Sequence, residues 1–286
     1  MKYRLEDILA GIVTYNPDIR RLHDNIEELL KQVKYVYIVD NGSKNIQEIE
    51  KLIKQYNGSI EIKEYKQNKG IAQALKEIME YSKINSFKWV LTLDQDSIIK
   101  SGLVDRYLET CNSPECSDVG MFTCLIKDRN FDDRKHEVQK QHLINVPYCI
   151  TSAAFTNVDK YCETEGYDAN FFIDAVDFDI CYALRDIGYR ICRIDYPGLY
   201  HEVGHGENRY FLWKKIVVYH QKPFRIYYYS RNMILMQKKH PQKYRRRILI
   251  KNEAALFIRI LLYEDCKKEK MIAFLRGIGD AKRCVN

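Results

Sequence analysis

The sequence predicts an α/β protein with a mainly parallel central sheet flanked by helices, followed by a basic helical C-terminal region. Three observations carry that expectation. Short β-rich apolar runs alternate with segments of helical period over the first hundred residues. Each run stops in a polar, turn-forming cluster. Positive charge is concentrated at the C-terminal end: residues 209–286 hold 20 Lys+Arg against 5 Asp+Glu, whereas the preceding part holds 26 against 34.

Taken in order, Ile8 to Tyr15 (ILAGIVTY) is an apolar run closed by Asn16-Pro17 and reads as a buried strand. Ile19, Leu22, Ile26, Leu29 and Leu30 recur at helical spacing. Tyr35 to Val39 is a second strand, stopped by Asp40-Asn41-Gly42-Ser43, and Ile46, Ile49, Leu52 and Ile53 mark the next helix. Ser59 to Tyr65 alternates as a third strand, and Asn68-Lys69-Gly70 opens a helix carrying Ile71, Leu75, Ile78 and Met79. Lys88 to Leu93 is a fourth strand ending in Asp94-Gln95-Asp96. Further strands are expected over Val119–Ile126 and His142–Thr151, and a helix from Asp174 to Ile187 before Gly188. From Arg209 the pattern reads as helical, basic and aromatic, broken at Pro223 and Pro241. This divides the chain into a body, 1–208, and a basic region, 209–286.

Composition bounds the function. With 286 residues, 46% hydrophobic and 30% charged, the chain is globular rather than disordered. No apolar run approaches the ~18–20 residues of a membrane span, and Glu6 and Asp7 make the N-terminus a poor signal peptide. Nine cysteines form no C-x-x-C pair and suit no common zinc spacing, so they read as reduced thiols of a cytoplasmic protein.

Several motifs carry chemistry. Asp94-Gln95-Asp96 ends a hydrophobic strand, where two carboxylates suit a hard divalent cation against a diphosphate. The same pair would also serve as an acidic turn capping a helix. Asp40 at the second strand's end suits a pyrimidine N3–H, although Asn-Gly turns are ordinary. Asn68-Lys69-Gly70 brings a backbone approach and a cation, or simply a cap. In Phe171-Phe172-Ile173-Asp174-Ala175-Val176-Asp177-Phe178-Asp179, carboxylates stand among apolar residues. A carboxylate in such surroundings suits a general base. On a helix, Asp174 and Asp177 would share one side. His201-Glu202-Val203-Gly204-His205 does not match the zinc-protease pattern.

Taken together, IVTYNP (Ile12–Pro17), VDNGS (Val39–Ser43), NKGIAQA (Asn68–Ala74), LDQD (Leu93–Asp96), FFIDAVDFD (Phe171–Asp179) and HEVG (His201–Gly204) resemble the inverting family 2 glycosyltransferases of GT-A fold. That fold has a Rossmann-like, mainly parallel sheet. The FIDxVD string, the HxxG, Arg225-Ile226-Tyr227-Tyr228 with Arg231-Asn232, and Leu275-Arg276-Gly277-Ile278 resemble the bacterial rhamnosyltransferases within it. The resemblance covers nearly the whole chain.

The resemblance implies roles: it makes 1–208 the catalytic domain, with about 1–100 binding the nucleotide sugar and about 101–208 carrying acceptor and catalytic groups. Thr14, Tyr15, Asn16 and Asp40 would line the nucleoside pocket, and Asn68, Lys69 and Gly70 would lie along the donor. Asp94 and Gln95 would sit on the ribose or sugar side. Asp96 would bind Mg2+ or Mn2+, with His201 near the metal or diphosphate. Asp177 matches the family's catalytic base, with Asp174 second. The family usually has Glu where this chain has Val176, a change the rhamnosyl subgroup shares, and Ala153 stands where relatives often have Gly. The absence of QxxRW favours single-sugar addition.

The implied donor is dTDP-β-L-rhamnose or, alternatively, a UDP-hexose. The implied acceptor is a glycan or a polyprenyl-diphosphate-linked sugar in cell-surface polysaccharide synthesis. The basic region suits a peripheral position on the anionic inner face of the plasma membrane, or a helical subdomain packed on the body. A nucleic-acid partner is not expected, because no recognised module is present and the N-terminal part is acidic. A nucleotidyltransferase would want a Gly-rich basic loop near the N-terminus, which IVTYNP is not. An inactive membrane-surface scaffold remains the non-enzymatic alternative.

Overall fold

The computed structural model describes residues 2–56, 58–128, 143–201, 207–211 and 214–283. The chain forms two compact units. One comprises Met1–Asn170 and Ile180–Glu202, the other Phe171–Asp179 and Val203–Asn286.

The larger unit alternates strand and helix: β1 (Ile8–Thr14), α1 (Ile19–Leu30), β2 (Tyr35–Asp40), α2 (Ile46–Ile53), β3 (Ile60–Glu64), α3 (Ile71–Ile84) and β4 (Trp89–Asp94). Then come β5 (Ile98–Ile99), α4 (Leu103–Cys111), β6 (Val119–Asp128), β7 (Ile144–Asn145), β8 (Ala154–Asn157) and α5 (Val158–Tyr161). The helix α6 (Val176–Asp186), whose residues up to Asp179 belong to the smaller unit, leads into β9 (Arg190–His201). One nine-stranded sheet runs β3-β2-β1-β4-β8-β6-β9-β5, with β7 also on β9. The β3-β2-β1-β4 half is parallel, and β8 reverses direction between β4 and β6.

The parallel half forms because its strands are apolar on both faces, as helix-covered strands must be. Ile8, Ala10, Ile12, Val90 and Leu91 are fully buried. Helix α1 is amphipathic: Leu22, Ile26 and Leu29 face the core, and the Asp18 carboxylate caps its N-terminus by accepting from the Arg21 amide at 3.0 Å. Gly11 lets α3 approach β1, since a Cβ there would sit 2.5 Å from Ile78. On the other side, Trp89 and Tyr107 each stack on Phe155, with ring centroids 4.7 and 5.0 Å apart.

The smaller unit has a hairpin, β10 (Glu207–Phe211) and β11 (Lys214–Val218), then α7 (Pro223–Lys239), α8 (Arg246–Leu262) and α9 (Lys267–Arg283). Ile226, Leu256, Ile260 and Phe274 form its core. Gly277 brings α9 against α7: a Cβ there would meet the Tyr227 carbonyl oxygen at 2.5 Å. Two buried charge clusters pin its connections. Asp179 accepts from Lys239 Nζ and pairs with His240 Nε2, both at 2.9 Å. Lys270, 2% exposed, donates to Glu264 at 2.6 Å and to Asp265.

Three sequence expectations need correction. The C-terminal region is not helical from Arg209, because β10 and β11 come first, and Ile216, Val217 and Val218 are β-branched strand formers. The strand expected over His142–Thr151 shrinks to Ile144–Asn145, with His142 outside the described set. The helix expected from Asp174 begins at Val176, because Asp174 and Ala175 lie in left-handed backbone at φ 67° and 65°. No helix among the described residues is long and apolar enough to cross a membrane.

Candidate functional site

The parallel strands deliver their polar ends to one edge. Thr14 pairs with Asp40, and Val13 with Asp94, so the carboxyl ends of β1, β2 and β4 lie side by side. This edge is where open α/β sheets bind ligands. Loops that must hold a fixed shape there need partners for their backbone donors, and these find them in side chains of their own or a neighbouring loop.

Asp40 is the hub. It is 1% exposed, and its carboxylate accepts from Thr14 Oγ1 at 2.9 Å, from the amides of Gly42 and Ser43 at 3.1 and 2.8 Å, and from Ser43 Oγ. Four donors match a carboxylate's four lone-pair sites. A base contact by Asp40 therefore requires one loop donor to give way. Gly42 is needed here because its φ is +83° and a Cβ would lie 2.8 Å from the Gln67 backbone.

The other loops are stitched similarly. The Asn16 amide donates to Ser43 Oγ at 2.7 Å, and the Lys44 amide returns a bond to Asn16 Oδ1 at 2.8 Å. The Tyr15 amide donates to Gln95 Oε1 at 2.8 Å, joining the β1 and β4 loops. The Lys69 amide donates to Asn41 Oδ1, and the Gly70 amide to Asn68 Oδ1, both at 2.8 Å. The Tyr15 ring is 47% exposed above this edge, and Lys69 Nζ stands 4.3 Å from the centroid of the Tyr65 ring.

Asp94 and Asp96 are half-buried at the β4 turn. The Asn25 side chain donates to the Asp94 carbonyl at 2.8 Å, and the Asp94 amide donates to Ser152 Oγ at 3.3 Å. Ser152 in turn donates to Ser97 Oγ at 2.8 Å. Next to it, Ala153 is buried in left-handed backbone at φ 61°, a conformation that favours glycine. Asp96 makes no ion pair among the described residues, so its oxygens suit a hard cation.

The smaller unit holds the other carboxylates. Phe172, Asp174 and Ala175 all have positive φ (55°, 67° and 65°), a concentration of backbone strain that clusters at functional sites. Asn232, fully buried on α7, clamps this loop: its amide nitrogen lies 2.5, 2.7 and 2.9 Å from the carbonyl oxygens of Phe171, Ile173 and Asp174. Arg225, also on α7, pairs with both Asp174 oxygens through Nε and Nη2. Burial pulls the Arg225 guanidinium's pKa down, but Asp174 and the nearby charge of Asp177 outweigh that and hold it above its ordinary value. Asp177 stands in the first turn of α6, where negative charge suits the helix dipole. Its Oδ1 accepts from the Phe178 amide at 3.0 Å. Asp179 is committed to Lys239 and His240.

His201 ends β9, paired in register with Asp128. Its side chain and residues 202–206 lie outside the described set. One other cluster, His220, Glu264 and Asp265, has metal-ligand spacing among the described residues. The Lys270 ammonium bonds both its carboxylates, so a cation already holds that place.

The structure thus brings Thr14, Tyr15, Asn16, Asp40, Asn68, Lys69, Gly70, Asp94, Gln95 and Asp96 to one edge of the larger unit. Asp174 and Asp177 lie in the smaller one. The sequence reading missed the residues that hold these groups: Asn25, Ser152, Arg225 as the Asp174 partner, and Asn232 as the loop clamp.

The chain is similar to known proteins. Residues 10–165, more than half of the chain, match the profile of "Glycosyl transferase family 2". A dTDP-rhamnosyl transferase, RfbF of Shigella flexneri, is 26% identical over 249 residues, covering 82% of this chain and 80% of that protein. S. aureus TarS 1–349, solved with UDP-GlcNAc, superposes with a TM-score of 0.62 at 15% identity, over 100% of this chain and 82% of that one. GalNAc-T7, solved with UDP, GalNAc and Mn2+, gives a TM-score of 0.64 at 12% identity, over 97% of this chain and 57% of the GalNAc-T7 chain. These structural likenesses show the fold, a GT-A glycosyltransferase fold with C-terminal helices. The chain belongs to glycosyltransferase family 2.

Proposed function

We propose that this glycosyltransferase moves L-rhamnose from dTDP-β-L-rhamnose to a hydroxyl of a glycan or polyprenyl-diphosphate-linked acceptor, with inversion and with a divalent cation. The observation that carries the reading is the cross-braced edge at the ends of β1, β2 and β4. There an exposed tyrosine, a lysine and a pair of half-buried aspartates stand in preset loops. That set suits a nucleoside diphosphate: a flat base, two phosphates and a cation. The similarity to RfbF, a dTDP-rhamnosyl transferase, supports the rhamnosyl donor.

In this reading Asp40 fixes the shape of the nucleoside pocket rather than contacting the base alone, since its four lone-pair sites are used by the loops. Tyr15 and Asn16 line the pocket, and Asn68, Lys69 and Gly70 run along the donor, with Asp94 and Gln95 on the ribose or sugar side. Asp96, with Asp94 beside it, would hold Mg2+ or Mn2+, and His201 stays assigned to that region. The cation's contribution there is to neutralise negative charge on the leaving diphosphate. The carboxylate pair fits it, because Asp96 has no competing ion pair among the described residues and oxygen donors suit both metals.

Asp177 is the proposed base. It takes the proton of the acceptor hydroxyl as that oxygen forms a bond to the anomeric carbon, and the bond from that carbon to the diphosphate breaks. One displacement inverts the centre, so a β-linked donor yields an α-rhamnoside. Asp174 is the weaker candidate because the Arg225 guanidinium occupies its carboxylate. The proposed location is the cytoplasm.

A thermal-shift panel with dTDP, UDP, GDP and CDP, each with and without Mg2+ or Mn2+, tests the reading. A ligand that binds only the folded state raises its stability. A metal-dependent shift with dTDP alone is expected. A shift with UDP alone moves the donor to a UDP-hexose, and no shift with any nucleotide, in folded protein, overturns the catalytic reading in favour of an inactive scaffold.

A further inference from the structure

Helix α8 leaves an apolar stripe uncovered. Ile250, Phe257, Ile258, Leu261 and Leu262 are 59%, 39%, 36%, 47% and 52% exposed. With Ala254 they recur at the three- and four-residue spacing that makes one helix face. A single exposed leucine needs no explanation, but a contiguous apolar face does. The stripe borders an open groove of about 1030 Å³ within the smaller unit, walled by Leu249 and Ile250 of α8 and by Phe274 and Ile278 of α9.

Charge says what covers this face. Lys238 of α7, Arg246 of α8 and Lys282 of α9 all line the groove. Arg245, Arg247 and Lys251 stand exposed at the same end of α8. Glu253 is the acid of the groove, and both its carboxylate oxygens are buried, so it offers no negative surface. An interface with a second copy of the chain, built on the same patch from each side, would set these cations against one another. An anionic lipid surface meets both features at once: apolar side chains enter the acyl boundary while arginines and lysines stay among the headgroups.

We propose that the α8 stripe and its flanking cations are a docking surface for an anionic membrane, on which α8 lies in the interfacial plane. This is independent of the donor assignment: nucleotide binding belongs to the strand-end loops of the larger unit, and either conclusion can fail alone.

The test is co-sedimentation of the full chain with vesicles of phosphatidylcholine, with and without about one-third phosphatidylglycerol, at low and high salt. Expected is binding to the anionic vesicles that weakens as salt screens the charges. Arg245→Gln, Arg246→Gln and Arg247→Gln together should lower the partition coefficient by roughly 100-fold, or about fivefold for each cation near the surface. Phe257→Ser with Leu261→Ser should abolish binding at moderate salt, because the apolar contribution is lost. Both residues are already exposed, so these variants should keep the parent melting temperature and nucleotide-induced shift.

Equal binding to neutral vesicles, or no binding to anionic ones at low salt, overturns the proposal. So does unchanged binding by the variants. A concentration-dependent dimer in sedimentation velocity that the Phe257→Ser, Leu261→Ser variant breaks would assign the face to a second copy instead.

Discussion

Asp174 and Asp177 are three positions apart, yet their surroundings separate them. Asp174 sits in left-handed backbone with Arg225 on both carboxylate oxygens, whereas Asp177 opens a helix and bonds the next amide. A base must accept a proton from a substrate hydroxyl, and a carboxylate held by a guanidinium is poorly placed to do so. Asp177→Asn should therefore lower kcat roughly 100- to 10,000-fold with donor KM little changed, whereas Asp174→Asn should lose less in kcat. Asn232→Ala should resemble a weakened Asp177→Asn, with kcat reduced and nucleotide affinity retained, because it releases the Phe171–Asp174 carbonyls that hold the strained loop. Steady-state kinetics on the three variants checks this order. A normal kcat for Asp177→Asn would sink the assignment. Asp174 and Asp177 were legible in the sequence as carboxylates among phenylalanines. Their division of labour was not, because it depends on Arg225 and Asn232, which lie some fifty residues away in the chain.

At the scale of elements, strands β1 to β4 were legible to within two residues because their apolar runs are short, continuous and closed by Asp, Asn and Gly. The hairpin β10–β11 was not, because its charged residues masked a strand alternation within a basic stretch. Helix α8 has an inconsistency of its own. Glu253 faces the groove with both oxygens buried, and that burial, only partly opposed by a hydrogen bond from Ser230, pushes its carboxyl from 4.5 up to about 7. Between those two values the folded protein holds a proton that the unfolded chain has released, so stability falls as pH rises. The contribution is fully present below pH 4.5 and lost by about pH 7. Its size is at most about 2 kcal/mol once the group's partial exposure is counted. Glu253→Gln should raise the melting temperature at pH 8 and leave it nearly unchanged at pH 4.5. Equal pH dependence in the parent and the variant would show that Glu253 is not the group responsible.

Across the whole molecule, sequence and structure divide the labour in the same direction. The acidic N-terminal part holds the sheet and the strand-end loops, and the basic C-terminal part holds three helices and their uncovered face. Each unit has its own apolar core, so a ligand bound to one should protect it without firming the other to the same degree. The strand-end loops rest on side-chain acceptors: the amides of Tyr15, Asn16, Gly42, Ser43 and Lys69 donate to Gln95, Ser43, Asp40 and Asn41 rather than to a ladder. Such bonds open locally unless a ligand closes over them. At a concentration 100 times its Kd, a nucleotide stabilises the bound state by about 2.7 kcal/mol, or roughly 100-fold in exchange rate where opening requires release. Hydrogen exchange with dTDP and Mn2+ should slow at these five amides and leave the amides of α8 near their unliganded rates. Protection centred on α8, or spread evenly over both units, would mean that the nucleotide binds away from the β1, β2 and β4 ends, and the roles given to Tyr15, Asp40 and Asp96 would fall with it.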